Sequence, residues 1–307
     1  MFEKFCKTLH GKKNFITVEI SPPHGASIKP TIEKIKALNL HERVAGFSVT
    51  DNPLAKLKMS GVLSAIQVQE AFKKPVIATM SMRDKNKLSL QSTLLGANDF
   101  DLRAILALTG DPAKFSDQPS VKGVLERDST LLLSIIYRLN NGFDYSNKEL
   151  NPKPKPIYPF AVSNAHAKDM RRIKKGMLKK LNYGARGIIT QPVYDLENAK
   201  ELIEIFEECK HESVRETAKD SVLILGQFPV VRARTANFIA DKVPGITVPK
   251  NIIEEMDLAA MDGDEKEQEV GFNLSKEIFD AILKIHPKMH LMTHNRFDLC
   301  SALIGDN

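Results

Sequence analysis

The sequence predicts an α/β fold, a (β/α)8 TIM barrel, on three observations. Four apolar runs begin at residues 15, 45, 75 and 105. A spacing of about 30 residues is one strand plus one helix, repeated. Further strand-like runs, with helical patterns between them, bring the count to the eight that a closed barrel needs. No Gly-rich dinucleotide fingerprint follows the first run, which ends in Pro22-Pro23. That disfavours the rival, a doubly wound open sheet.

Each element has its own signal. A polar, helical start precedes Phe15 to Ile20, a strand that Ser21-Pro22-Pro23-His24-Gly25 ends. Strands two and three are Ala45 to Asp51 and Pro75 to Ser81. The fourth, Ile105 to Leu108, runs into Thr109-Gly110-Asp111-Pro112. A continuous apolar run closed by a turn reads as a strand buried on both faces. Between these strands, Ile32, Ile35 and Leu38 lie at helical spacing, as do Leu57, Val62, Ile66 and Val68, and then Leu88, Leu90, Leu94 and Leu95.

The second half keeps the alternation with longer insertions. Residues 113–127 form a polar loop, and Asp128-Ser129-Thr130 caps a helix to residue 140. The Lys- and Pro-rich stretch 141–157 is a connection. Strand five is Tyr158 to Ser163. A basic helix, Lys168 to Leu181, stops near Gly184. Strand six is Gly187 to Pro192, and Asp195 caps a helix to about Cys209. Strand seven is Val222 to Pro229. Helices near 249–259 and 268–284 precede strand eight, His290 to His294, and a short helix closes the chain. No linker divides the alternation, so a single domain over 1–307 is expected, with extra helices before strand eight.

Composition narrows the function classes. The chain is 42% hydrophobic and 27% charged, with a net charge of +6. Its lysines are scattered as on a solvated surface, a balance that also suits an anionic small molecule. No basic stripe with interleaved aromatics exists and Trp is absent, which argues against nucleic acid. Cys6, Cys209 and Cys300 give neither a disulfide framework nor metal-ligand spacing, so a reducing cytoplasmic setting and no metal are expected. Residues 1–20 hold no uninterrupted apolar core, and no run of about 18 apolar residues exists, so neither a leader nor a membrane span is expected.

In a barrel, chemistry collects at the C-terminal ends of the strands. That rim reads Glu19, Asp51, Asp84, Asp111, Asn164, Gln191, Gln227 and His294. Such a polar ring suits a flat ligand held by hydrogen bonds along its edge. Glu19 lies between Val18 and Ile20, inside the apolar run. Desolvation there raises a carboxyl pKa and makes a general acid, unless a nearby lysine or arginine pairs with it. Asp111 either serves chemistry or caps the turn. His166, after strand five, either holds a phosphate or ribose or is simply exposed. No nucleophile elbow is present.

Together these strand ends resemble the methylenetetrahydrofolate reductase family, over about residues 14–297. The marks are Thr17-Val18-Glu19-Ile20-Ser21-Pro22-Pro23, Ser48-Val49-Thr50-Asp51-Asn52, Leu106-Ala107-Leu108-Thr109-Gly110-Asp111-Pro112, Gly187-Ile188-Ile189-Thr190-Gln191-Pro192 and Thr293-His294-Asn295-Arg296. Lys58-Met59-Ser60, Arg83-Asp84-Lys85-Asn86 and Leu94-Leu95-Gly96 look most like the short bacterial branch, the catalytic barrel without a C-terminal regulatory domain.

The resemblance implies a cytoplasmic flavoprotein of one-carbon metabolism and methionine biosynthesis, and a homo-oligomer. It implies FAD over the C-terminal face and reduction of 5,10-methylenetetrahydrofolate to 5-methyltetrahydrofolate. NADH, NADPH or an electron-donating partner protein would supply the hydride. Glu19 matches the family's acid, and Asp111 its aspartate beside flavin and pterin. Gln191 offers an amide to the pterin, and Arg296 meets the folate's carboxylate or pterin edge. The FAD positions are Thr50, Thr109, Gly110, Asp111, Asp128, Ser129, His166 and Lys180. Departures are Thr79 and Thr109, where better-known members have histidine and arginine, and Val162 for a tyrosine. No aromatic matches the residue that stacks on nicotinamide or folate. The competing readings are a pterin-binding methyltransferase or flavin-independent folate reductase on a similar barrel, and a non-enzymatic subunit that binds folate or a partner reductase.

Overall fold

The inward positions of the strands explain the architecture. The computed structural model describes residues 1–305 apart from 125 and 244. Eight strands, β1 (Phe15–Ile20), β2 (Gly46–Val49), β3 (Val76–Ser81), β4 (Ala104–Leu108), β5 (Tyr158–Ser163), β6 (Gly187–Pro192), β7 (Val222–Gln227) and β8 (Lys288–Leu291), form a closed barrel in sequence order. Every pair is parallel, and β8 closes on β1 with Phe15 opposite Lys288 and Val18 opposite Leu291.

The described helices are α1 (Phe2–Leu9), α2 (Lys29–Ala37), α3 (Leu40–Arg43), α4 (Gly61–Phe72), α5 (Lys87–Asp99), α6 (Ser129–Asn140), α7 (Arg171–Asn182), α8 (Leu196–Glu212), α9 (Ala233–Lys242), α10 (Lys250–Met261), α11 (Asp264–Ile285) and α12 (Phe297–Ile304). Among the described residues no helix is long and apolar enough to cross a membrane. The extra helices expected before strand eight are α9, α10 and part of α11, which enclose a satellite core around Tyr194, Val230, Ile239 and Met256.

Two larger cores follow from strand alternation. Val18, Ile20, Val49, Ile105 and Ile188 face the helix ring and join its main core. Phe15, Ile77, Leu106, Phe160, Ile189 and Ile224 face inward. The inner set is sealed from below by α1, whose Phe2, Phe5 and Leu9 recur at one helical face and complete the same cluster. Gly187 belongs to this layer because the Phe160 ring occupies the space where a Cβ would stand.

Several boundaries move. Strand eight is Lys288–Leu291 rather than His290 to His294, because His294 and Asn295 take left-handed backbone (φ 49° and 66°) that no strand continues. Strand two is four residues, and strand seven ends at Gln227. Leu57, read into a helix, is exposed in the loop before α4. Helix α11 starts earlier than its apolar period, at Asp264, where Asp264, Glu265 and Glu267 complement the helix dipole.

The α1 plug makes a direct prediction. Phe5→Ala opens a void under the barrel and is expected to cost about 3–5 kcal/mol in chemical denaturation. Lys7→Ala, on the exposed face of the same helix, is expected to change stability by no more than about 0.5 kcal/mol.

Candidate active site

Above the sealed layer the inward positions turn polar. They surround a cavity of about 480 Å³ at the C-terminal ends of the strands. Strand β1 contributes Glu19 and then Ser21, β2 leads to Thr50 and Asp51, and β3 gives Thr79, Ser81 and then Arg83. The opposite wall, from β4 to β6, carries Leu106, Leu108, Val162, Ile189 and Gln191. His290, Met292 and His294 enter from β8 and its following loop. The wall from β4 to β6 also bears Thr109, Asp111, Ser129, Asn164 and Lys180, so hydrogen-bonding groups stand on both sides beside an apolar band, which suits an amphipathic planar ligand.

Glu19 has no hydrogen-bond or ion-pair partner among the described residues, so the paired alternative falls away. Burial alone pushes its carboxyl up to about 7. Beneath it, on the same face of β1, Thr17 Oγ1 lies 2.8 Å from His290 Nδ1, and Ser48 Oγ lies 3.3 Å from Nε2. Burial pushes His290 down to about 4, so at neutral pH its ring places no cation below Glu19.

The acidic part of the rim is organised by pairing. Asp51 accepts from the Ser81 N–H (3.0 Å) and from Lys85 Nζ (2.8 Å). Arg83, buried, donates twice to Asp84 (2.7 and 2.6 Å) and to the carbonyls of Asn52 (3.2 Å) and Asp111 (3.4 Å). It ties together the loops that follow β2, β3 and β4. Asp111 Oδ2 accepts the Leu54 N–H at 2.6 Å, so its carboxylate is held at the cavity wall by a charge-assisted bond. Gly110 stands at φ 93°, where a side chain is strained and a Cβ would collide with Ser81 Oγ.

Just after β2, Thr50 Oγ1 is buried with no hydrogen-bond partner among the described residues. A second group lies toward β5. Lys180 lines the cavity and donates to the Val162 carbonyl, and burial lowers its pKa. Thr109 Oγ1 accepts from the Ser129 N–H at 3.2 Å, joining two more of the expected cofactor positions.

Thr50, Thr109, Gly110, Asp111, Ser129, Lys180, Gln191 and Glu19 thus share one cavity, and three expected site residues lie outside its lining. Asp128 caps α6 through the Thr130 N–H and pairs with Lys179 at 2.7 Å. Burial would raise its pKa, but the bonds from Lys179 and Thr130 outweigh this and hold it at about 2. His166 is half-buried, with its backbone N–H on the Gly245 carbonyl. Arg296 is exposed and pairs with Asp298 at 3.2 Å.

Two rim positions are corrected. Asp84 is turned to Arg83, outside the lining. Gln227 occupies an outward register position and donates to the Ser275 carbonyl at 2.8 Å. Sequence reasoning gave no role to Arg83, Lys85 or His290. The run Arg83-Asp84-Lys85 just past a strand end was the available signal.

The raised pKa of Glu19 predicts a pH dependence of stability. In the unfolded chain the carboxyl ionises near its ordinary value of 4.5, and in the fold only near 7. The advantage of the protonated folded form is complete below the lower value and is lost as pH rises through the upper one. Glu19→Gln, which never ionises, is expected to melt progressively higher than the wild type as pH is raised from 5 to 8. A melting-temperature difference that stays flat over that range would contradict the buried, unpaired carboxyl.

Comparison with known proteins gives the family. No curated protein matches this chain in sequence. An uncharacterised protein from Clostridium thermocellum, whose structure is described as binding two copies of 5-methyl-5,6,7,8-tetrahydrofolic acid, superposes with a TM-score of 0.61 at 15% identity. The match covers 99% of this chain and 97% of that one. EDTA monooxygenase from Chelativorans sp. BNC1 superposes with a TM-score of 0.57 at 11% identity, over 95% and 92% of the two chains. At these identities the neighbours establish a shared fold. The methylenetetrahydrofolate reductase family matches residues 4–306, nearly the whole sequence, and the chain belongs to that family.

Proposed function

We propose that the chain reduces 5,10-methylenetetrahydrofolate to 5-methyltetrahydrofolate, with hydride drawn from NADH, NADPH or an electron-donating protein by way of FAD. The observation that carries this reading is Glu19, a carboxyl inside the cavity with no cation to ionise it, protonated close to neutral pH. The imidazolidine ring must open before hydride reaches the methylene carbon. Opening needs a proton on N10, a weakly basic, aniline-like nitrogen. An acid with a pKa near 7 holds that proton at working pH and releases it without a large penalty. Gln191 offers both a donor and an acceptor to the pterin edge. The fold of the Clostridium thermocellum neighbour, which binds a reduced folate, supports the same substrate class here.

Residues after β2 and β4 and toward β5 fit FAD. Among the described residues the buried Thr50 hydroxyl has no partner, and the Lys180 ammonium reaches the cavity with one carbonyl to bond. Thr50, Thr109, Gly110, Asp111, Ser129 and Lys180 would hold the cofactor, and Asp128 and His166, outside the cavity lining, are the remaining expected positions. Bound FAD supplies a hydride carrier between donor and folate. Lys180 would meet anionic oxygens of that group, and Asp111 would stand on the same cavity wall as a carboxylate beside it.

Three measurements test this. The visible spectrum of the purified protein is expected to show a flavin band that bleaches with anaerobic NADH and returns with methylenetetrahydrofolate. A band that NADH leaves unchanged assigns reduction to a partner protein. No flavin, and none taken up from added FAD, overturns the flavin route. Glu19→Gln is expected to leave flavin reduction nearly intact while slowing folate reduction ~10²–10⁴-fold in stopped-flow half-reactions; equal loss of both would remove Glu19 from the acid role. Asp111→Asn is expected to raise the flavin midpoint potential, and an unchanged or lower potential would place Asp111 away from the ring system.

A further inference from the structure

Beyond the FAD proposed above, a planar ligand in this cavity finds few flat faces to rest on. Among the described residues that line it there is no Phe or Tyr, and the sequence contains no Trp. Two imidazoles remain. His290 lies at the buried floor with both ring nitrogens engaged by Thr17 and Ser48. His294 is exposed and has no hydrogen-bond partner of its own among the described residues, so its ring is available.

The local structure holds that ring in place. His294 and Asn295 follow β8 in left-handed backbone, φ 49° and 66°. Such conformations are uncommon for residues other than glycine, and where they persist the surroundings fix them. Here the Asn295 side chain clamps Ser21 at two points: Oδ1 accepts the Ser21 N–H at 2.9 Å, and Nδ2 donates to the Ser21 carbonyl at 2.7 Å. Phe228 supports the imidazole from the side, with ring centroids 5.1 Å apart and planes at 67°. The Phe228 backbone is itself anchored, its carbonyl accepting the buried Tyr194 hydroxyl at 3.0 Å. Edge-to-face contact leaves a face of the imidazole for another ring. Desolvation by its surroundings lowers the pKa of His294, which favours the neutral ring.

We infer that His294 is the stacking platform of the cavity and binds the reduced pterin ring of the folate. The choice of pterin follows from position. Through Asn295, His294 is tied to Ser21, two residues beyond Glu19, so the ring it holds is the one beside the acid. Most of the groups assigned to FAD, namely Thr109, Gly110, Asp111, Ser129 and Lys180, follow β4 or lie toward β5, across the ring from β8 and β1; Thr50, after β2, is the exception. The inference rests on the proposed folate reaction and adds the residue that orients its substrate.

The test uses the purified whole chain and two variants chosen to separate ring from backbone. Asparagine tolerates the left-handed conformation, so His294→Asn removes the ring without new strain. His294→Phe keeps a flat face and removes the nitrogens. Titration calorimetry with 5-methyltetrahydrofolate is expected to show wild-type binding, about tenfold weaker binding in His294→Asn, and near wild-type binding in His294→Phe. Equal binding in His294→Asn and wild type would overturn the platform. His294→Phe as weak as His294→Asn would show that a ring nitrogen, not the ring face, does the binding, and would overturn it too. Parallel titrations with NADH and FAD are expected to leave both variants unchanged; a loss confined to either would assign the ring to nicotinamide or flavin and overturn the pterin assignment. Wild-type protein that does not bind the folate brings down the proposed function itself, and a melting curve for each variant separates binding loss from unfolding.

Discussion

An inward position in a closed barrel of eight parallel strands has no bulk water to fall back on. A side chain placed there packs, finds a polar partner inside the ring or, like the Glu19 carboxyl, is pushed toward its neutral form. This chain meets the constraint by grading the interior along its axis. Phenylalanines and aliphatics, with the α1 plug beneath them, fill the lower positions and exclude solvent. Hydroxyls, a histidine and carboxyls occupy the upper ones, where a cavity opens. The gradient makes the chemistry possible. A dry floor directly below the polar layer is what lifts the Glu19 carboxyl and depresses the His290 imidazole.

The loops above the barrel depend on the same scaffold but use a different device. The loops after β2, β3 and β4 are joined by the Arg83 guanidinium, whose donors are shared between one carboxylate and two backbone carbonyls. A planar fork suits that task because it fixes directions as well as distances. The loops after β1 and β8 are joined by the Asn295 amide, which reads both polar atoms of the Ser21 backbone. Each clamp sets the orientation of a neighbouring group that points into the cavity: Asp111 in one case, His294 in the other.

Much of this was legible in the sequence, for identifiable reasons. Parallel strands buried on both faces leave nearly unbroken apolar runs, so the barrel and its strand count could be read directly. Glu19 was visible as an anomaly within such a run. Strict alternation would also have placed Gln227 correctly. It follows the inward Gly226 by one residue and so faces outward, where it bonds to Ser275. The edge of β8 was misplaced because Lys288, a polar residue at the strand's start, sends its ammonium to the Gly11 carbonyl instead of marking a loop. What no periodicity could reveal were the clamps. Arg83 with Asn52 and Asp111, and Asn295 with Ser21, are contacts between segments far apart in the chain. They arise only once the barrel has brought the strand ends together.

The seam between β1 and β8 has a consequence for how the chain reaches this state. Residues 15–18 pair with residues 288–291, so the ring closes through its most distant segments. Until they meet, β1 presents an unpaired edge, and the apolar interior is open along one side. Such long-range closure is slow relative to local pairing and leaves a sticky intermediate exposed. During synthesis the N-terminal strands must wait for nearly all of the intervening chain. The early α1 helix, which covers the open lower end with Phe2, Phe5 and Leu9, is placed to shield that unfinished core while the last strand is still to come.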